Sequence, residues 1–210
     1  MKDLIDFLVR IYELSPVPLR MAYAMWIAFI SLYIYSYWYD KFNSPPKPRT
    51  QKRQNYSNAF ILLGLVTAVL YFFAKWRGWP IDQPIFDDEA LPFTGIVVML
   101  IGLVLIAAAR VALNGYWGPH IYEYTNPNHN ILISHGIYSS LRHPIYLGQV
   151  LMAAGTLLLS NSSVFLIFTL PLVLINIARS KREDDHLLEV FEENFIKYKD
   201  NTYVLVPGVY

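Results

Sequence analysis

LGQVLMAAGTLLLSNSSVFLIFTLPLVLINIA, residues 147–178, is the stretch whose reading decides the fold. Two apolar segments, Leu147–Ser160 and Val164–Ala178, flank the polar Asn161-Ser162-Ser163, and the pattern predicts a tight helical hairpin with its turn at the far membrane face. Pro171 falls inside the second segment, where it should kink the helix unless neighbours satisfy the freed carbonyl. Toward the N-terminus, residues 21–39 carry no Asp, Glu, Lys or Arg and are long enough to cross roughly 30 Å of hydrocarbon. A second span is predicted from about Asn58 to Lys75 and a third from about Phe93 to Leu113. The expected fold class is an all-α integral membrane protein with about five transmembrane helices, the last two forming the hairpin.

Composition agrees with a chain that wants lipid around it. Of its 210 residues, 55% are hydrophobic and 16% aromatic, and its mean hydropathy is positive. A net charge of +1 gives no general attraction to nucleic acid, which is not an expected partner; the lipid bilayer is. No cysteine is present, so disulfides, thiolate metal ligands and a cysteine nucleophile are excluded. Any chemistry must come from His, Tyr, Arg, Asn and carboxylates. His120, His129 and His135 match no metal-ligand spacing, and no metal is expected. No oligomeric state follows from the residues.

One membrane domain is expected over 1–210, divided as follows. Residues 1–14 form an interfacial helix, since Asp3, Asp6, Arg10 and Glu13 share one helical face opposite Leu4, Phe7, Leu8, Ile11 and Leu14. Residues 19–113 hold three spans, 114–146 a polar connector, 147–178 the hairpin, and 179–210 a C-terminal helix and tail. The loop 40–56 carries Lys41, Lys47, Arg49, Lys52 and Arg53, whereas 78–92 carries Asp82, Asp87, Asp88 and Glu89 with no Lys or Arg. The excess of basic residues assigns 40–56 to the cytosol. Threading the spans from there puts the N-terminus outside and both 114–146 and 179–210 inside, so the two polar regions share the cytosolic face.

Those regions hold the residues able to do chemistry. The run Gly136-Ile137-Tyr138-Ser139-Ser140-Leu141-Arg142-His143-Pro144-Ile145-Tyr146-Leu147-Gly148 leads directly into the hairpin. Gly136 permits a tight turn or close backbone approach to a ligand, and Pro144 suits the first turn of a helix. Tyr138, His143 and Tyr146 offer flat faces for a purine, and Arg142 offers a fixed cation. A plain interfacial anchor of aromatic and basic residues fits the same run. Beyond the hairpin come Arg179, Lys181, Arg182, Glu183, Asp184, Asp185 and His186. On a continuing helix Arg179 and Glu183 share a face and can pair, although a solvated charged face is the usual fate of such a run. Leu187, Leu188, Phe191, Phe195 and Tyr198 keep helical spacing, which predicts an amphipathic cytosolic helix against the rim.

In the order Arg110, Gly115, Trp117; Leu132-Ile133; Gly136-Ile137-Tyr138; Arg142-His143-Pro144-Ile145-Tyr146; Arg179; Glu183-Asp184; Leu187, Phe191, Phe195, Tyr198 and Pro207, the chain resembles the isoprenylcysteine carboxyl methyltransferase and phospholipid methyltransferase superfamily of integral membrane enzymes. The resemblance covers about the last hundred residues. It implies S-adenosyl-L-methionine as cofactor, bound by a cytosolic C-terminal region. Tyr138, His143 and Tyr146 would surround its adenosyl part, with Gly136, Arg142 and the backbone of Leu132 and Ile133 also at the cofactor. Glu183 would bind its polar end, and Arg179 would sit near the reacting group, which makes Arg179 and Glu183 the catalytic candidates. Two positions depart from the pattern: Asn130 stands where the family usually has a His, with His129 beside it, and Glu192 stands where a Gly commonly follows the Phe.

The implied function is methyl transfer from S-adenosylmethionine to a lipophilic acceptor at the cytosolic membrane face: a prenylcysteine-like carboxylate, a lipid amine or an isoprenoid. A carboxylate needs no base, and Arg179 could orient it; an amine must lose a proton, and Glu183 is then the candidate base. Two rivals stand beside this reading. Arg142-His143-Pro144 with Tyr146-Leu147-Gly148 and the aromatic-ended tail also resemble NADPH-dependent membrane sterol reductases. A non-catalytic scaffold would explain Asn130.

Overall fold

The computed structural model describes residues 24–32, 90–113, 132–161 and 163–205, together with positions 34, 35, 38, 66, 73, 77 and 85. The interfacial helix at 1–14, almost all of the second span, the basic loop 40–56, residues 114–131 and the last five residues fall outside this set. Among the described residues the structure is helical: α1 (Leu91–Leu113), a short 3-10 turn (Gly136–Ser139), α2 (Pro144–Ser160) and α3 (Ser163–Asp200). Within the first span, residues 24–32 are helical as well.

Helix α1 is long and apolar enough to cross a membrane, and α2 is a shorter apolar helix. The two pack antiparallel through paired glycines seven residues apart on each. A Cβ placed on Gly95 would stand 2.6 Å from the Gly155 carbonyl oxygen, and one on Gly102 would stand 2.7 Å from that of Gly148. Only glycine lets the backbones approach this closely, and in lipid such close packing replaces the missing hydrophobic drive. Met99, Ile106, Met152 and Leu159 fill the seam around the glycines. Met25, Trp26, Phe29 and Leu32 lie against that seam, and the Trp26 indole donates to the Thr156 hydroxyl at 3.0 Å.

The hairpin expected from residues 147–178 is present. Pro144 occupies the first turn of α2, and Asn161 ends the helix in the left-handed region (φ 45°, ψ 40°), its N–H donating to the Leu157 carbonyl at 2.9 Å. Helix α3 does not stop where the apolar segment ends: it stays helical past Pro171 and through Arg179, and its one non-helical residue is Glu192. Apolar side chains remain exposed in stripes along α1 (Phe93, Val97, Leu100, Val104, Val111) and along α3 (Leu166, Leu170, Leu174), as lipid-facing helix surfaces require.

Candidate functional site at the rim of the hairpin

Four pieces of chain meet where α1 ends, α2 begins and α3 leaves the apolar layer. The first is the 3-10 turn. Gly136 opens it at φ 60°, a conformation that favours glycine, as the sequence suggested. Tyr138 packs with Ala109 and Leu113 of α1, and Ala112, Ile133, Ile137 and Ile145 complete this apolar floor. The second piece is the run 140–143, beside which the third, residues 202–204, forms an isolated parallel bridge at Leu141 and Tyr203: Tyr203 N–H donates to the Ser140 carbonyl at 3.0 Å, Arg142 N–H to that of Tyr203 at 2.8 Å and His143 N–H to that of Val204 at 3.2 Å. The fourth is the polar continuation of α3. Its Tyr198 hydroxyl donates to the Tyr138 carbonyl at 2.7 Å, which ties the far end of α3 to the turn.

His143 is the hub. Its ring is buried, 4% exposed, and stacks on Tyr146 with centroids 5.5 Å apart and planes 18° apart. Nε2 lies 2.8 Å from Asp184 Oδ1 and Nδ1 lies 3.3 Å from Glu183 Oε2. Both ring nitrogens therefore face carboxylate oxygens, and only the imidazolium donates to both. Burial by itself would lower the His143 pKa, but hydrogen bonds and charge from Asp184 and Glu183 outweigh it and raise the value from 6.5 to about 9. Glu183 moves the other way. Burial opposes its ionisation, yet His143, the Tyr146 hydroxyl and the Arg179 charge together hold its carboxyl below the ordinary range. The acid pair also faces the N-terminal end of α2, where the helix dipole favours negative charge.

Arg179, one turn before Glu183 on α3, rests its guanidinium 5.2 Å from the centre of the Tyr146 ring. Tyr146 thus touches both the cation and the imidazole, and the sequence-predicted Arg179, Glu183, His143 and Tyr146 form one cluster. Arg142 is adjacent but engaged by protein. Its Nη1 donates to the Lys199 carbonyl at 2.9 Å, to the Thr202 carbonyl and to the Thr202 hydroxyl at 3.1 Å, and its Nε lies 3.3 Å from Asp184 Oδ2. This guanidinium pins the tail to the rim. Leu132 and Ile133 are half-buried beside the turn, and Gly136 is exposed there. Asn130, with His129, lies outside the described residues.

The sequence named Asp184 and Tyr198 without a role in the site, although Asp184 bridges His143 and Arg142 and Tyr198 holds the turn; it did not name Thr202, which holds Arg142 from sixty residues away. Asp184 was legible as the second acid of a pair; the tail residues carry no local signal. Among the described residues no group of His, Cys, Asp and Glu could hold a metal ion.

The fold and this rim define a helical protein, one of whose helices is long and apolar enough to cross a membrane, with a buried, doubly carboxylate-held histidine at the mouth of a helical hairpin. A family model described as phospholipid methyltransferase matches residues 91–194. The chain is 26% identical over 157 residues to protein-S-isoprenylcysteine O-methyltransferase of Xenopus laevis, covering 72% of this chain and 54% of that one. It is 35% identical over 96 residues to the protein of the same name from Saccharomyces cerevisiae, covering 45% and 40% respectively. The chain thus spans about half the length of the curated relatives it matches. Among solved structures, the eukaryotic intramembrane Ras methyltransferase, isoprenylcysteine carboxyl methyltransferase, shares the fold with a TM-score of 0.56 at 21% identity, over 74% of this chain and 55% of that one. By these likenesses the chain is similar to the isoprenylcysteine carboxyl methyltransferase and phospholipid methyltransferase superfamily, as its residues suggested.

Proposed function

We propose that the protein transfers a methyl group from S-adenosylmethionine to a lipophilic carboxylate of the prenylcysteine type, at the cytosolic face of its membrane, with the N-terminus outside. The observation that carries the reading is the cluster of Arg179, Tyr146, His143 and Glu183 at the open end of the hairpin, in a chain whose curated relatives are named as O-methyltransferases of isoprenylcysteine.

The donor set fits such a cofactor. An ionised Glu183 complements a cationic amino-acid end, and the stacked His143–Tyr146 pair offers a flat wall to an adenosyl group. Gly136, Tyr138, Leu132 and Ile133 contribute turn backbone and an apolar floor. When bound, S-adenosylmethionine supplies an electrophilic methyl group, which a carboxylate oxygen takes as a neutral thioether departs. The protein's own work is positional. Arg179 orients the acceptor carboxylate by charge-assisted hydrogen bonds, the imidazolium of His143 fixes Glu183, and the apolar helices admit the lipid tail while excluding water. No base is needed, because a carboxylate is already ionised at neutral pH.

The arrangement favours this reading over an NADPH-dependent reductase. A pyrophosphate and a 2′-phosphate ask for several cations, and Arg142, the nearest candidate, is engaged by Lys199, Thr202 and Asp184. Detergent-purified protein should transfer labelled methyl from S-adenosylmethionine to an N-acylated prenylcysteine, forming a base-labile ester. Arg179→Ala should lower kcat by roughly a hundredfold, the scale of removing one oriented charge-stabilising donor. Label appearing in phospholipid amines instead would overturn the carboxylate assignment.

A further inference from the structure

The last apolar segment carries a polar stripe. Thr169, Asn176 and Glu183 are spaced by seven, with Arg179 and Ser180 between the last two, so all five fall on one side of α3. Thr169, Asn176 and Ser180 are buried, Asn176 and Ser180 completely. The two hydroxyls are satisfied within the helix, Thr169 donating to the Phe165 carbonyl and Ser180 to that of Ile177, each at 2.9 Å. Asn176 is different: neither its Nδ2 nor its Oδ1 has a hydrogen-bond partner among the described residues.

A carboxamide offers two donors and an acceptor, and buried polar groups in folded proteins are nearly always bonded. An orphaned one inside an apolar layer is a standing penalty that an apolar residue of the same size would remove. Polar residues within membrane helices face the protein interior and mark substrate paths by default. The rise of a helix places Asn176 about 5 Å deeper in the apolar layer than Arg179 and about 10 Å deeper than Glu183, on the same face. A molecule lying along that face meets a carboxylate, then a guanidinium, then a neutral amide.

Building on the methyl-transfer reading above, we propose that Asn176 is a specificity residue of the acceptor site, hydrogen-bonding a neutral amide that lies next to the methylated carboxylate of a lipid-tailed acceptor. A carboxamide both donates and accepts without charge, which suits an N-acylated amino acid and gives nothing to a plain fatty carboxylate. The acceptor's charged group stays with Arg179 at the rim, its amide pairs with Asn176, and its hydrocarbon continues into the layer.

The test compares wild type with Asn176→Leu and Asn176→Ala on two acceptors, an N-acetyl prenylcysteine and its analogue with hydrogen in place of the acetamide, alongside calorimetric binding of S-adenosylhomocysteine and thermal melting. Wild type should favour the amide-bearing acceptor. Both variants should raise KM for it by roughly tenfold, the worth of one buried hydrogen bond, while KM for the analogue and affinity for S-adenosylhomocysteine stay unchanged. Asn176→Leu should melt no lower than wild type. Equal losses on both acceptors, or no loss on either, would overturn the proposal and leave Asn176 a residue of packing or bound by water. Wild type that binds no S-adenosylhomocysteine and methylates neither acceptor would instead fail the underlying reading, and the proposal with it.

Discussion

Glu192 holds φ 44° and ψ −118° inside α3, a region of backbone space that is nearly closed to residues with a Cβ. It is also the position at which the family pattern commonly has glycine, so the departure noticed in the sequence has a conformational meaning that the sequence alone did not disclose. Glu192 is exposed, and its substitution removes no buried contact. Glu192→Gly is expected to stabilise the protein by about 1–3 kcal/mol through relief of that strain, visible as a higher melting temperature. His143 yields a pH signature. Its pKa is raised from 6.5 to about 9, so the stability it contributes is complete below about pH 6.5 and is lost as the pH climbs through about 9. Melting temperatures should therefore fall across that interval in wild type, and the fall should shrink in His143→Gln. The chemical types at the rim were readable from Arg142-His143-Pro144 and Arg179 to Glu183. That Arg142 would be engaged by the tail was not, because Thr202 is sixty residues away and nothing local marks it.

Among the elements, apolar runs gave away α1 and the hairpin because burial in lipid demands an uninterrupted stretch of the right length. The helix expected from about Phe93 to Leu113 runs from Leu91 to Leu113; the one expected from Leu147 begins at Pro144. What the runs could not show is how helices choose partners. Gly95, Gly102, Gly148 and Gly155 each look like a weak point in an apolar helix, and only their pairing across the α1–α2 seam gives them a purpose. A Cβ on Gly155 would stand 2.5 Å from Met99 Cγ and 2.6 Å from the Gly95 carbonyl oxygen. Gly155→Leu should therefore force the helices apart and destabilise the protein by about 1–3 kcal/mol or more. Val97→Leu, on the exposed face of α1, should leave the melting temperature unchanged. At Pro171, where the sequence led us to expect a kink unless neighbours satisfied the freed carbonyl, α3 stays helical and carries Arg179 and Glu183 on to the rim.

At the scale of the molecule, an apolar body and a charged rim divide the work. Stripes of exposed Val, Leu and Phe on α1 and α3 suit lipid, while α3 projects about 20 Å beyond the apolar segment before Glu192. There it delivers Glu183 and Asp184 to His143, and the returning tail closes over Arg142. In the proposed function this division lets a water-soluble donor and a lipid-borne acceptor reach one set of side chains without either leaving its phase. The measurement that tests this account most directly is calorimetric titration of the detergent-purified protein with S-adenosylhomocysteine and, separately, with NADPH, using wild type and Glu183→Gln. The account requires that S-adenosylhomocysteine binds, that Glu183→Gln weakens it by roughly tenfold or more, the worth of one charge-assisted hydrogen bond, and that NADPH gives no heat of binding. Binding of NADPH in place of S-adenosylhomocysteine would contradict it.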